Sequence, residues 1–313
     1  MESLLFYLLR ASIVMAVFYG FYKLIFSRNT FHKSNRVLLI LIVAITLILP
    51  LFSFNLLSNI NFSETETNLF DLSKLQMIEQ IGNYEQQATF PWIYFLSLLF
   101  VAGILIMIIR YIIGIRQIRI IIKRSEKQLI SQNSTLCIAD RNISPFSWWG
   151  YIVMSRKDST EDNFQAILSH EKAHILMNHS MDMVLLNLFT IFFWFNPFSW
   201  LLKREIQTVH EYMADEQVLN SGINAKQYQY LLIRKSVGEH KFALANNFLQ
   251  RNLHKRITMM TKTKTNKRMK WNYTFALPVL FLAVVALSAP KLNAKVVASD
   301  PPVKTEIVGH IND

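Results

Sequence analysis

The stretch "LSHEKAHILMNH", from Leu168 to His179, places two histidines four residues apart, with a glutamate directly after the first. Residues i and i+4 lie on the same face of an α-helix, so His170 and His174 can hold one metal ion between them. Glu171 lies one step further around the helix, beside such a metal, where it can take a proton from a metal-bound water. The stretch therefore predicts a helix that carries a catalytic zinc site.

A short motif of this kind also arises by chance, and the competing interpretation is a surface helix with incidental histidines. A third ligand favours the metal site. Downstream, "IQTVHEYMADEQVL" places Glu211 four residues before Asp215, again on one helical face. Glu211 can complete a His₂Glu ligand set with a fourth position open for water. Asp215 can orient a ligand histidine from behind it. The alternative for this pair is an ordinary solvated acidic face.

The composition is that of a membrane protein. Hydrophobic residues make up 52% of the 313 residues and charged residues only 17%, whereas soluble domains carry about 25% charged residues. Four stretches are long and apolar enough to cross a bilayer core, which needs about 20 residues. They are Ser3–Phe26, Val37–Phe54, Pro91–Ile113 and Asn272–Ala289. The single cysteine, Cys137, excludes an intramolecular disulfide.

The distribution of Lys and Arg predicts the orientation of these spans. The connection Ser27–Arg36 is basic, and the loop 55–90 is acidic, while segments 110–182 and 203–270 are rich in Lys and Arg. We expect the basic segments on the cytoplasmic side of the bacterial inner membrane, with loop 55–90 and both termini outside. The net charge of +12 is then mostly this positive-inside signal.

The run "TKTKTNKRMK", Thr261–Lys270, fits an anchor on anionic membrane lipid. Nucleic-acid binding is the weaker interpretation, and no direct nucleic-acid partner is expected.

The segment Met183–Leu202 is apolar enough for a fifth span. A full crossing would place the basic residues after it outside and would separate His170 from Glu211. We therefore expect a helix that dips into the membrane or packs on its cytoplasmic side, with a break at Asn196–Pro197.

The stretch "STLCIADRNISPFSWWGYIVMS" predicts a β-hairpin of Thr135–Ala139 and Trp149–Met154 around Pro145. In metalloproteases an edge strand commonly pairs with extended substrate. The candidate strand consists of Trp149, Gly150, Tyr151, Ile152, Val153 and Met154. The alternative is a hairpin that only supports the active helix. His179 and His210 are each candidates to hydrogen-bond the tetrahedral intermediate, and the sequence does not choose between them.

The combined motifs resemble a known family. "LSHEKAHI", followed by "FWFNPFSWLLKREIQTVHEYMADEQVL" with its E-Y-x-A-D core, is similar to the bacterial membrane metallopeptidases of the BlaR/MecR type. These are the antirepressor-like receptors of the beta-lactam response. The detailed match covers Pro145 to Leu219. The resemblance implies a gluzincin fold that faces the cytoplasm, with His170, His174 and Glu211 as zinc ligands and Glu171 as catalytic base.

One departure from this family concerns the sensor. Beta-lactam receptors carry an external penicillin-binding domain after the last span, whereas only Pro290–Asp313 follows here. We therefore do not expect this chain to sense beta-lactams. A separate sensor or envelope partner is a candidate for that role, and the tail is either a shortened form or a strand that docks a partner.

The expected fold is a mostly α membrane protein with four transmembrane helices and an α+β gluzincin-like zinc protease domain on the cytoplasmic side. The expected segments are a transmembrane hairpin (1–54), an external loop (55–90), a third span (91–113), the protease domain (114–270) with its membrane-associated helix (183–202), a last span (271–289) and an external tail (290–313).

The expected function is a Zn²⁺-dependent metalloendopeptidase in signal transduction, which cleaves a cytoplasmic protein, such as a repressor, or itself. The alternative is a non-proteolytic membrane scaffold or signal transducer with a structural zinc site. Glu171 favours the enzyme, because a structural site has no use for a base.

Overall fold

The structure is a computed structural model that describes residues 2–51, 92–161, 163–238 and 243–276, together with residues 278, 279, 281 and 283. The predicted loop 55–90 and tail 290–313 lie outside the described residues, as do residues 284–289 of the predicted last span. The helices in the described ranges are α1 (Glu2–Ile25), α2 (His32–Ile48), α3 (Trp92–Arg124), α4 (Arg156–Thr160), α5 (Phe164–Leu176), α6 (His179–Phe192), α7 (Pro197–Asn220), α8 (Ala225–Gly238) and α9 (Ala243–Thr261).

Three of these helices, α1, α2 and α3, are long and apolar enough to cross a membrane. They overlap the first three predicted spans, but α3 continues past the predicted end at Ile113 to Arg124. At the fourth predicted span, Asn272–Ala289, the described residues show a 3₁₀ helix, Lys267–Phe275, and no helix of spanning length. Helices α5 and α6 together are also long and apolar enough to cross a membrane, but the angle between them is 62°. This pair has the composition of a broken span or a re-entrant loop.

The first two membrane helices and α7 share one apolar core. Its buried side chains include Phe18 of α1, Leu39 and Ile42 of α2, and Leu202 and Ile206 of α7. Close packing of complementary side chains is what holds helices together in lipid, where the surrounding tails are as apolar as the helices. The core therefore fixes α7 against the membrane hairpin.

A four-stranded sheet lies beside α5. Its order is β1-β2-β4-β3, in which only the β2 and β4 pair is parallel. The strands are β1 (Glu126–Ser131), β2 (Ser134–Ala139), β3 (Phe146–Trp148) and β4 (Tyr151–Ser155). Ile152 and Met154 of β4 pack with Ala166 and Ile167 of α5 and with Val218 of α7 in a second core. Helix α5 is thus positioned between the sheet and α7.

The predicted hairpin of Thr135–Ala139 and Trp149–Met154 is wrong. The two segments do pair, but in parallel, because β3 forms between them and occupies the antiparallel position next to β4. The hairpin consists of β3 and β4, joined by Trp149 and Gly150 with φ angles of 43° and 85°. Positive φ at both central residues is what a two-residue type I′ turn requires, and glycine adopts it without strain.

Two sharp connections arrange the helices around the site. Asn178 adopts the left-handed conformation (φ 54°) between α5 and α6, which asparagine tolerates better than most residues. Between α6 and α7 the chain breaks at Asn196–Pro197, as the sequence predicts. The Asn196 side chain accepts a hydrogen bond from the Phe198 amide, and Pro197 occupies the first turn of α7.

Candidate metal centre

Three potential metal ligands converge where α5 crosses α7. The Nε2 atoms of His170 and His174 lie 3.2 Å apart. The carboxylate of Glu211 on α7 approaches both rings, with Oε2 at 3.4 Å from His170 Nε2 and Oε1 at 3.6 Å from His174 Nε2. One ligand atom from each residue lies within 4.8 Å of the others. This is the arrangement that one metal ion needs.

Behind His170, a hydrogen-bonded pair fixes the ring. The Tyr228 hydroxyl of α8 donates to Asp215 Oδ1 at 2.8 Å and lies 2.9 Å from His170 Nδ1. Because the hydroxyl proton is given to Asp215, the oxygen accepts from a protonated Nδ1. This tautomer leaves the lone pair of Nε2 directed at the metal position. Asp215 Oδ1 itself lies 3.4 Å from Nδ1.

Behind His174, a chain of contacts leads to the second membrane helix. His174 Nδ1 is 2.7 Å from His179 Nδ1, and the His179 ring stacks on His210 with centroids 3.9 Å apart. His210 Nε2 is 2.7 Å from Asp182 Oδ2. Asp182 in turn accepts two hydrogen bonds from Arg36 of α2, at 2.6 and 3.1 Å.

These contacts thus hold His174, the second candidate ligand. From the sequence, His179 and His210 were each candidates to hydrogen-bond the tetrahedral intermediate. Their hydrogen-bond partners here are His174 and Asp182.

The carboxyl of Glu171 is buried (7% exposed) next to the ligands. Burial and the charge of Glu211 raise the pKa of Glu171, while the neighbouring His170 opposes that rise. A carboxylate with a raised pKa is a stronger base than one in water, so Glu171 is suited to accept a proton.

A family model described as BlaR1 peptidase M56 matches residues 7–260. The chain belongs to the M56 peptidase family. No curated protein matches the sequence significantly. The family and the three apolar helices together identify a membrane metallopeptidase of the BlaR1 type.

A cation beside the ligand carboxylate is a feature of this M56 peptidase that the sequence motifs did not predict. Arg256 of α9 places Nη1 2.9 Å from Glu211 Oε2 and forms a two-fold ion pair with Asp215 at 2.6 and 2.9 Å. Burial raises the pKa of both carboxyls, but hydrogen bonding to His170 and the charge of Arg256 outweigh it. Both pKa values are therefore held below the ordinary range, and both groups stay ionised.

The ligands open onto a cleft of about 950 Å³. One wall includes β3, which ends the sheet, and the cleft reaches Tyr19 and Lys23 of the first membrane helix. The predicted substrate strand Trp149–Met154 does not form this edge. Residues 151–154 lie in β4 between β2 and β3, and Trp149 and Gly150 form the turn. The strand with an unpaired edge beside the ligands is Phe146–Trp148.

Proposed function

We propose that this M56 peptidase is a zinc-dependent metalloendopeptidase of the HExxH-plus-Glu type. The observation that carries the proposal is the convergence of two histidines and Glu211 beside the buried carboxylate of Glu171. An imidazole, imidazole and carboxylate set is a common ligand set of catalytic zinc. The donors fit such an ion, since the other ring nitrogens of His170 and His174 are both engaged.

In this proposal His170, His174 and Glu211 hold Zn²⁺, and Asp215 with Tyr228 orients His170. Zinc in such a site supplies a Lewis acid that polarises the scissile carbonyl and acidifies water. Glu171 accepts the proton of the attacking water and then donates it to the leaving amine. Ser147 of β3 lines the cleft together with Glu171, so the substrate strand passes beside this carboxylate.

The substrate is an extended segment of a protein. Its main chain adds to the free edge of Phe146–Trp148, so that backbone hydrogen bonds hold the scissile bond across the ligands. The cleft also contains Lys23 and Glu205, an ion pair between the end of α1 and α7. A cleft that extends to a membrane helix suits a substrate region close to the membrane, such as a bound repressor or a segment of this chain.

The proposed setting is the bacterial inner membrane, with the catalytic domain on the cytoplasmic side and both termini outside. Regulated proteolysis in signal transduction, as in the antirepressor receptors, is the proposed role. Membrane lipids and a separate sensor or envelope protein are the proposed partners. Buried Glu171 favours this function over a scaffold with a structural zinc site, because a structural site does not need a base.

The test is Glu171→Gln in the full chain. The amide is nearly isosteric but cannot accept the proton, so cleavage should fall by a factor of about 10²–10⁴, while bound zinc stays at one per chain. Glu126→Gln, at an exposed glutamate of β1, is the matched control and should cleave normally. Fragments are detected in cells and zinc is measured on purified protein. Cleavage by Glu171→Gln at the wild-type rate would contradict the proposed mechanism and favour the non-proteolytic scaffold.

A further inference from the structure

A second cavity, of about 390 Å³, lies on the other side of Arg256. Arg256 lines both this cavity and the catalytic cleft, whereas Asp215 lines the second cavity and Glu211 the cleft. The walls of the second cavity come from the start of α2, the end of α7, the end of α9 and the segment that follows α9.

The charge on these walls is strongly positive. Four lysines line the cavity, and the acidic residues that line it are Asp215 and Glu216. The carboxylate of Asp215 is already neutralised by its two-fold ion pair with Arg256. Among the described residues, no ion pair involves any of these four lysines. Lys262 donates a hydrogen bond to the Arg28 carbonyl, and Lys270 lies over the Phe31 ring. The other two, Lys264 and Lys267, are exposed.

The amino-terminal end of α2 forms another wall through Thr30, Phe31 and His32. No side chain caps this helix end, and its first turn contains no acidic residue. The unsatisfied N–H groups and the helix dipole favour an anion at such an end. His32 adds a buried side chain (7% exposed) whose Nδ1 has no hydrogen-bond partner among the described residues.

The lysine segment is held in place against the membrane hairpin. Thr30 and Thr265 exchange two hydrogen bonds, from each amide to the other's hydroxyl, at 3.0 and 2.9 Å. Tyr273 joins the same turn through Asn29 and Asn35. The cavity is therefore built before any ligand arrives, and it lies where the first membrane helix ends and the second begins.

We propose that this second cavity binds a phosphate group. A phosphate presents several acceptor oxygens and a negative charge, which matches the lysine ammonium groups, the open helix end and His32. The position between two membrane helices favours the headgroup of an anionic phospholipid over free phosphate as the source.

A phosphate in this cavity also adds a negative charge beside Arg256, which pairs with Glu211 and Asp215. Binding is thereby linked to the charge and position of a metal ligand. This linkage rests on the proposed function, whereas the binding itself does not.

The test uses the purified full chain in detergent, titrated with dihexanoyl phosphatidylglycerol, dihexanoyl phosphatidylcholine or inorganic phosphate. Binding is read from the shift in Tm and from calorimetry. We expect the phosphatidylglycerol to bind and the zwitterionic lipid not to bind. The double variant Lys264→Gln/Lys267→Gln should bind it more weakly by a factor on the order of ten or more. These lysines are exposed, so the ligand-free Tm should stay at the wild-type value.

The matched control is Lys127→Gln/Lys157→Gln, which removes the same charge from exposed positions outside the cavity and should bind as wild type. Tight binding of inorganic phosphate, without binding of the lipids, would support the phosphate site and identify a soluble phosphate as its ligand. Equal binding of both lipids, or wild-type affinity in the cavity variant, would overturn the proposal. Peptidase rates measured with and without the lipid test the linkage separately. If the chain binds phosphate but never cleaves protein, the proposed function is contradicted and the phosphate site is still supported.

Discussion

Single side chains behind the proposed ligands are expected to decide how tightly this M56 peptidase holds a metal ion. Tyr228 gives its proton to Asp215 and accepts from His170. In Tyr228→Phe, His170 keeps only the longer 3.4 Å approach of Asp215. Losing such an orienting contact typically lowers metal affinity by about 10–100-fold. Zinc titration against a chelator measures the change.

The matched control for that prediction is Tyr230→Phe, since Tyr230 is a largely exposed residue of the same helix. It should leave zinc affinity unchanged. Wild-type affinity in Tyr228→Phe would contradict the role given to this hydroxyl.

The pKa of His170 gives zinc binding a predicted pH dependence. Burial lowers this pKa, but hydrogen bonds with Asp215 and Glu211 outweigh the effect and raise it to about 9. Below that pH a proton occupies the ring, and a bound zinc ion must displace it. The apparent zinc affinity should therefore rise by about tenfold per pH unit from pH 6 to 8 and level off near pH 9. Calorimetry in buffers of different ionisation enthalpy counts the released proton, and an affinity that does not change with pH would refute the prediction.

At this scale, the sequence predicted three residues that the structure brings together as candidate ligands, but not all of the side chains that contact them. The sequence could place His170, His174 and Glu211 together because helical spacing puts motif residues on one face. Tyr228 and Arg256 belong to no motif, and they reach the site only because α8 and α9 pack onto α7. Contacts between distant helices depend on tertiary packing, which a local pattern does not contain.

Among the helices and strands, the link between α2 and the metal centre runs through Asp182 of α6. Its carboxylate contacts both Arg36 and His210 and is buried, so water solvates it poorly. Hydrogen bonds from His210 and Arg36 outweigh that burial and lower the pKa of Asp182. In Asp182→Asn the charge of Arg36 loses its partner, and we expect the free energy of unfolding to fall by about 1–3 kcal/mol. Denaturant titration in detergent measures it.

The comparison variant is Asp140→Asn, which breaks an exposed pair with Arg156 and should change stability by less than about 1 kcal/mol. Equal stability of the two variants would show that the Asp182 contacts add nothing to the fold.

The strands show where sequence patterns were insufficient. Alternation of apolar residues predicted strands on both sides of Pro145 but assigned them to one hairpin. The short strand Phe146–Trp148 has too few residues to produce a periodic signal, although the following Trp149–Gly150 turn contains a glycine at a position of positive φ. Missing that strand changed both the pairing and the identity of the edge.

Over the whole molecule, the position of the two motifs relative to the membrane decides whether the site can exist as proposed. Glu211 contacts His170 and His174 directly, so α5 and the second half of α7 must open to one compartment. Hydropathy alone allowed Met183–Leu202 to separate them. The positive-inside distribution favours one side for both motifs, and we propose that this side is the cytoplasm.

Single-cysteine labelling tests this topology, because the chain has one cysteine, the buried Cys137, which can be replaced by alanine. Lys157→Cys, before α5, and Lys226→Cys, after α7, are exposed positions on either side of the disputed segment. In spheroplasts an impermeant maleimide should label neither until the membrane is permeabilised, since positive-inside segments face the cytoplasm. Lys74→Cys in the predicted external loop should be labelled in intact spheroplasts. If Lys226→Cys labels in intact spheroplasts while Lys157→Cys does not, residues 183–202 cross the membrane, His170 and Glu211 cannot share a metal ion, and the proposed centre is wrong.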